Sequence, residues 1–362
     1  MTVLLKVDGK EFGGWKDVRI TRGIERGCSD FSLTVSDRWP GQASKIEIKT
    51  GMACEVYDDD DILITGYIDE VQVDADATTH SISFNGRSKV ADLVDCSANN
   101  SPGQWTGQGL LKIATDIASP YGVGVKALTD LGAVFPDFKI QQGDGAFDSI
   151  ERLCRMRGVL ACDDTRGNLT FTRAGTVRAG TALLRRSGDD TSNILAGGAR
   201  FSERDRFKTY IVKGQSIGTD LNYGDVAAGP TATAIDNAMG RQRTLVSIAQ
   251  QATDIAGCAT EAKWNRATRA GRSVAASYVV HGWREKGDKG ALWTPNTLVA
   301  VNDDIANLQG DMLVSEVSYS VSDAGTLTGI SLYPPEAFEL IAESPKKKTG
   351  SVAGGYVLHD AD

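Results

Sequence analysis

The chain has 362 residues, an apolar share of 41% and 40 glycines, enough for two to four domains with sizeable cores and many turns. Its net charge of −8 is unevenly spread: residues 1–95 carry 11 basic against 18 acidic side chains, residues 96–180 carry 9 against 8, and the rest 19 against 21. No region is basic enough for an obvious nucleic-acid-binding face, no apolar run is long enough to cross a bilayer, and six scattered cysteines without a C-x-x-C pair, beside three histidines, argue against a zinc or redox centre and for free thiols in a reducing compartment.

The first residues, Met1 to Lys6, read as a strand rather than a signal peptide. Further strands are expected at Val18–Ile20, Phe31–Val35, Cys54–Tyr57, Ile62–Val73 and Ser81–Phe84, where apolar residues alternate or run between Gly, Asp and Pro breaks. Asp58-Asp59-Asp60-Asp61 lies between two of these. It lacks the spaced ligands and glycine of a calcium loop, so a solvated hairpin turn is the expectation.

From residue 96 the period changes. Gln108–Ser119 places Leu110, Ile113, Ala114 and Ile117 on one helical face, opened by Gly107-Gln108-Gly109 and closed by Pro120 and Gly122. Ala146–Arg157 repeats the pattern with Phe147, Ile150, Leu153 and Cys154, and Gly158 stops it. Phe135–Ile140 suggests a strand, and Val159–Cys162 with Leu169–Thr172 a hairpin. Residues 181–200 read as a linker rich in Gly, Ser and Asp. A strand is expected from Phe207 to Ile217, then a mobile loop at Gly224–Ala234. A long helix over Thr253–Ala270 carries Lys263, Arg266 and Arg269, with Arg272 just beyond it. Strands follow at Val274–Trp283, Thr297–Val301, Met312–Val321 and Thr326–Tyr333. Pro334-Pro335 closes the sheet, and residues after Glu343 read as a flexible tail.

Two stretches resemble each other. Tyr67-Ile68-Asp69-Glu70-Val71, a polar turn and Ile82-Ser83-Phe84 are matched by Leu313-Val314-Ser315-Glu316-Val317, a polar turn and Ile330-Ser331-Leu332. Each leads on to late apolar residues, Leu93-Val94 and Leu340-Ile341. One β-module used twice points to a builder of rings rather than to an enzyme.

Catalytic sets are weakly represented. A histidine-based triad would rest on His281, in a strand pattern with no G-x-S-x-G elbow to serve it. A pair of acids fit for glycoside hydrolysis can be drawn from any 47 carboxylates, and neither G-x-G-x-x-G nor a Walker lysine is present. No catalytic residue, cofactor or metal is therefore expected. The basic helix series reads either as a solvated face with ion pairs or as a contact with an acidic partner. Trp283 and Trp293, flanking a polar loop, are as fit for a core as for an interface.

The stretches His281-Gly282-Trp283, Leu292-Trp293-Thr294-Pro295-Asn296, Val299-Ala300-Val301, Leu313-Val314 and Tyr333-Pro334-Pro335-Glu336-Ala337-Phe338 resemble the C-terminal β-module of the baseplate hub proteins of Mu-like contractile-tailed phages. The middle region, with Gly158-Val159-Leu160 and Gly167-Asn168-Leu169, is similar to theirs, and a wider likeness reaches the hub part of type VI secretion spike proteins. The resemblance implies an α+β fold with two tube-like antiparallel β-barrel modules (1–95 and 181–343), a small α/β domain between them (96–180) and a tail (344–362). It implies a homotrimer whose six modules form a pseudo-sixfold ring. The partners would be the tail tube protein, the central spike and other baseplate proteins, in a virion baseplate assembled in the host cytoplasm. DNA would pass without specific binding, and no membrane insertion is implied. The acidic excess of residues 1–95 is expected to face the channel. Lys263, Arg266, Arg269, Trp283 and Trp293 are the expected subunit contacts. A bacteriocin or type VI hub is the alternative, and a tail-associated peptidoglycan hydrolase the alternative from another class.

Overall fold

A computed structural model describes residues 2–36, 48–75, 80–175, 177–188, 191–214, 229–249, 255–287 and 289–339. The expected tail and the Leu340-Ile341 pair lie outside these residues. The fold is α+β, dominated by strands. The first seven strands are β1 (Val3–Val7), β2 (Lys10–Phe12), β3 (Asp17–Gly23), β4 (Asp30–Ser36), β5 (Ala53–Asp58), β6 (Asp61–Ala75) and β7 (His80–Ser88). They pair antiparallel in the order β3-β4-β7-β6-β5-β1-β2. The period-2 alternation places Leu5, Ile20, Leu33, Val56 and Ile64 on the inner side, each essentially removed from water.

The middle region holds α1 (Ala91–Asp95), β8 (Gln104–Gln108), α2 (Leu110–Ala118), β9 (Val125–Ala127), β10 (Phe135–Lys139), α3 (Ala146–Arg157), β11 (Leu160–Asp163) and β12 (Leu169–Thr172). The apolar face of α2, Leu110, Ile113, Ala114 and Ile117, meets Ile150, Leu153 and Cys154 of α3 in a core of its own. Gly158 ends α3 at φ +63°, a left-handed conformation that glycine adopts without steric cost.

Next come β13 (Val177–Arg178), β14 (Leu183–Arg185) and β15 (Ile194–Phe201). The stretch 181–200 is therefore more than a linker: it holds β14 and most of β15. β13, at the end of the middle region, already pairs with the second module's β22 (Thr297–Asp303). Then follow β16 (Thr209–Lys213), β17 (Thr231–Ile235), β18 (Thr244–Ile248) and α4 (Ile255–Arg272). Residues 231–234, expected in a mobile loop, form most of β17, because Ala232 and Ala234 pair with Val212 and Tyr210 over Cys258 and Ala262 of α4. Residues 224–228 lie outside the described set.

The chain closes with β19 (Val274–His281), β20 (Arg284–Lys286), β21 (Lys289–Leu292), β22, β23 (Leu308–Ser322) and β24 (Gly325–Tyr333). The second module runs β15-β19-β24-β23-β22. β23 also pairs with β3, so the two modules share one continuous sheet.

Aligned on their ladders, the modules are copies. β6 and β23 are each 15 residues long. Each carries a bulge at the corresponding place, between Ile68 and Glu70 and between Val314 and Glu316. Partner by partner, β5 corresponds to β22, β7 to β24, β4 to β19 and β3 to β15. The outgoing strands match as the sequence suggests. The return strands match with an offset of two residues: Glu70 faces Asn85 and Glu316 faces Ser331, so Phe84 corresponds to Ile330. A shift of two keeps every side chain on its face, which is why the sequence likeness tolerates it.

Candidate assembly interface

The joint between the modules shows how two such units dock. β3 lies antiparallel to the outer half of β23, with Arg22 opposite Val317, Thr21 opposite Ser318, Ile20 opposite Tyr319 and Arg19 opposite Ser320. At the bulge β23 exchanges neighbours: its inner half, Leu308–Leu313, pairs with β22, and its outer half pairs with β3. Ion pairs bind the rim. Arg26 reaches Glu316 at 3.0 Å and also bonds Asp30. Arg272 of α4 meets Glu25 at 2.5 Å.

The β20–β21 hairpin ties the second module to the first. Arg284 donates to Asp58 at 3.0 Å and to Asp61 at 2.7 Å. The acidic turn is therefore only partly solvated: Asp58 is 1% exposed. Burial raises its pKa and Arg284 works against that. Counted along the strand, Asp58 at the end of β5 is matched by Asp303, fully buried at the end of β22. Burial would raise Asp303 too, but Arg185, the Ala306 amide and the Tyr278 hydroxyl together hold it down at about 2.

Trp283 and Trp293, expected as subunit contacts, are 1% and 2% exposed within one chain's core. Trp283 donates to the Ser320 carbonyl at 3.1 Å, its ring lies 5.2 Å from that of Tyr319, and Tyr319 donates to the Trp293 carbonyl. They brace the joint from inside the single chain. The helix series divides as well. Arg269 donates to the Asp205 carbonyl and sits over Phe207, so its charge is engaged within the chain. Lys263 and Arg266 are exposed and line, with Arg173, Trp264 and Phe338, an open cleft of about 430 Å³ between α4 and the middle region.

Two surfaces escaped the reading of the sequence, and both are strand edges. Among the described residues β15 pairs with β19 on one side only, and β6 beyond its bulge, Glu70–Ala75, pairs with β7 only. Their large apolar side chains stand in water: Phe201 is 57% and Val73 59% exposed. Among the described residues no group of three or more His, Cys, Asp or Glu converges to hold a metal, and no helix is long and apolar enough to cross a membrane. Burial pushes the Cys28 thiol up to about 11, and the Cys54 and Cys162 thiols up to about 12, which leaves these sulfurs poorly nucleophilic.

Comparison with known proteins fits this architecture. Residues 2–88 match the N-terminal domain of the Mu phage baseplate assembly protein family, residues 90–173 the second domain of gp44-like baseplate hub proteins, and residues 255–341 the fourth domain of the first family. The baseplate hub protein gp44 of Escherichia phage Mu is 32% identical over 98% of this chain and 94% of its own length. This chain belongs to the Mu-type baseplate hub family. The crystal structure of a prophage tail protein from Shewanella oneidensis, 36% identical, covers 94% of the hub and is itself covered completely, with a TM-score of 0.83. An Escherichia coli type VI secretion component shares the fold at 12% identity and a TM-score of 0.54, over 92% of the hub and 76% of its own chain. The hub is thus a baseplate protein of a Mu-like phage tail, and its named relatives are structural proteins.

Proposed function

We propose that this hub is a non-catalytic ring-former: three chains supply six modules, and the ring joins the tail tube to the central spike while leaving a passage for DNA. The observation that carries this reading is the duplication, in which two copies of one β-module stand edge to edge within one chain. Repeating that head-to-tail contact between chains generates a ring when the rotation closes. The acidic surplus of residues 1–95 supports a passage that repels phosphate rather than retaining it. Lys263 and Arg266 remain proposed contacts, for an acidic surface on a neighbouring baseplate protein or subunit. The chain divides into domains at residues 95, 180 and 343, with β13 contributing to the second module's sheet. Light scattering on the purified full-length chain across a dilution series tests the ring. A stable mass near three times 38.6 kDa is expected, and a monomer at every concentration counts against it. Peptidoglycan digestion by the purified chain would overturn the non-catalytic part.

A further inference from the structure

We infer which strands join one subunit to the next: β15 of one chain pairs antiparallel with the outer half of β6, Glu70–Asp74, of its neighbour. The inference rests on the ring proposed above and deepens it. Its ground is the ladder correspondence. Within the chain, β3 docks on the outer half of β23. The equivalent of β3 is β15, and the equivalent of that half of β23 is the half of β6 beyond its bulge. Both edges stay unpaired among the described residues. One docks like β3, the other receives like β23, and a second copy of this chain supplies the missing half of each.

The register follows residue by residue. Through β4 and β19, Ile20 corresponds to Ala199, Thr21 to Arg200 and Arg22 to Phe201. Through the bulges, Val317 corresponds to Val71, Ser318 to Gln72 and Tyr319 to Val73. Transferring the β3–β23 register places Phe201 opposite Val71, Arg200 opposite Gln72, Ala199 opposite Val73 and Gly198 opposite Asp74. Arg185 donates to the Gly197 carbonyl, which puts the open stretch of β15 at Gly198–Phe201.

Exposure and charge agree with this register. Val73 is on the core-facing side of β6 yet 59% exposed, whereas its counterpart Tyr319, covered by β3, is fully buried. Phe201 is 57% exposed at the position where the docked strand β3 has the 9% exposed Arg22. The proposed pairing covers both apolar groups with one contact. On the opposite face Arg200 gains Glu70 and Asp74 as its two diagonal cross-strand neighbours, a favourable charge arrangement. Exposed Arg204, just past β15, approaches Glu70, the counterpart of the Glu316 that Arg26 holds within the chain. An unpaired edge with apolar residues is otherwise a site of uncontrolled aggregation, and pairing with a second copy removes it.

The test is a cysteine pair at positions exposed in the single chain, Gln72→Cys with Arg200→Cys. Directly opposed residues in an antiparallel pair have Cα atoms about 4.5–5.5 Å apart, within disulfide range. Mild oxidation of the full-length double variant should give disulfide-linked species between chains that end at the covalent trimer on a non-reducing gel. Each single-cysteine variant controls for the native thiols and should give none. A stable trimer by light scattering whose double variant does not cross-link overturns the strand assignment and leaves the ring intact. A ladder running past the trimer supports the assignment and overturns closure. Monomers at every concentration with no cross-link at high concentration overturn both.

Discussion

Asp58 and Asp303 occupy the same place in the two modules, the last residue of the strand that feeds the long bulged one, and both are buried. Their chemistry diverges. Asp303 is held within its own module by Arg185, by Tyr278 and by the amides of Ile305 and Ala306. Asp58 has no such cage: one oxygen meets Arg284 from the other module and the second has no hydrogen-bond partner. One carboxylate is pulled down to about 2 and the other is pushed up. A duplicated fold thus keeps a polar position and reassigns it, once as a staple within a module and once as a latch between modules. The long strands diverge likewise: the outer half of β23 is covered by β3, and that of β6 pairs only with β7 among the described residues.

The largest expected effect tests the coverage. Tyr319→Ala removes a buried ring beside Trp283, at a cost of about 3–5 kcal/mol, while Val73→Ala at the equivalent position should stay within about 0.5 kcal/mol in the dissociated chain. Urea unfolding midpoints of the two variants measure this, and equal losses would break the contrast in coverage. Next is the staple. Arg185→Ala leaves Asp303 buried without its cation, at about 3 kcal/mol. Because the folded pKa of Asp303 lies below its ordinary value, its contribution is complete above about pH 4 and is lost as pH falls toward 2. At about 1.4 kcal/mol per pH unit this amounts to roughly 2.5 kcal/mol, and Asp303→Asn should flatten that limb of the acid unfolding curve.

The latch should be weaker and of opposite sign in pH. Arg284→Ala is expected to cost about 2 kcal/mol at pH 7. Asp58 already has a raised pKa and would lose the cation that restrains it. The deficit should therefore shrink as pH falls toward 5 and the carboxyl takes a proton. Thermal unfolding at both pH values measures this, and an unchanged deficit would show that Asp58 stays charged. The smallest effect belongs to the rim. Glu316 and Arg26 are 37% and 38% exposed, so Glu316→Gln should change stability by less than about 1 kcal/mol, and less again at high salt, as urea titrations at two salt concentrations would show.

Much of this fold was legible in the sequence because it rests on local pattern. The alternation flanking the two long hairpins, the helical spacing of Leu110, Ile113 and Ile117, and the stop at Gly158 each follow from a short window. The misses share a cause, since each depends on a partner far along the chain. β15 reads as linker because its centre is Ala196-Gly197-Gly198-Ala199, with no alternation to detect and one edge left open. Asp58 is indistinguishable by sequence from Asp59 and Asp60, and only Arg284, 226 residues away, marks it. Trp283 and Trp293 flank a polar loop and by sequence fit a core as well as an interface, yet the Trp283 ring meets Tyr319 and Trp293 is buried in the same core, its carbonyl accepting from the Tyr319 hydroxyl. The site residues drawn from the sequence were the conspicuous side chains, whereas the candidate interface is made of backbone edges that no residue type announces.

The joint between β3 and β23 forms when a single chain folds, so it is complete before any two chains meet. In the proposed ring of six modules, three of the six joints belong to this kind. Assembly then brings together three bodies rather than six, and forgoes three further losses of translational and rotational freedom, each of about 4–15 kcal/mol. Covalent linkage of the two modules shifts half of the ordering from a step that depends on concentration to one that does not.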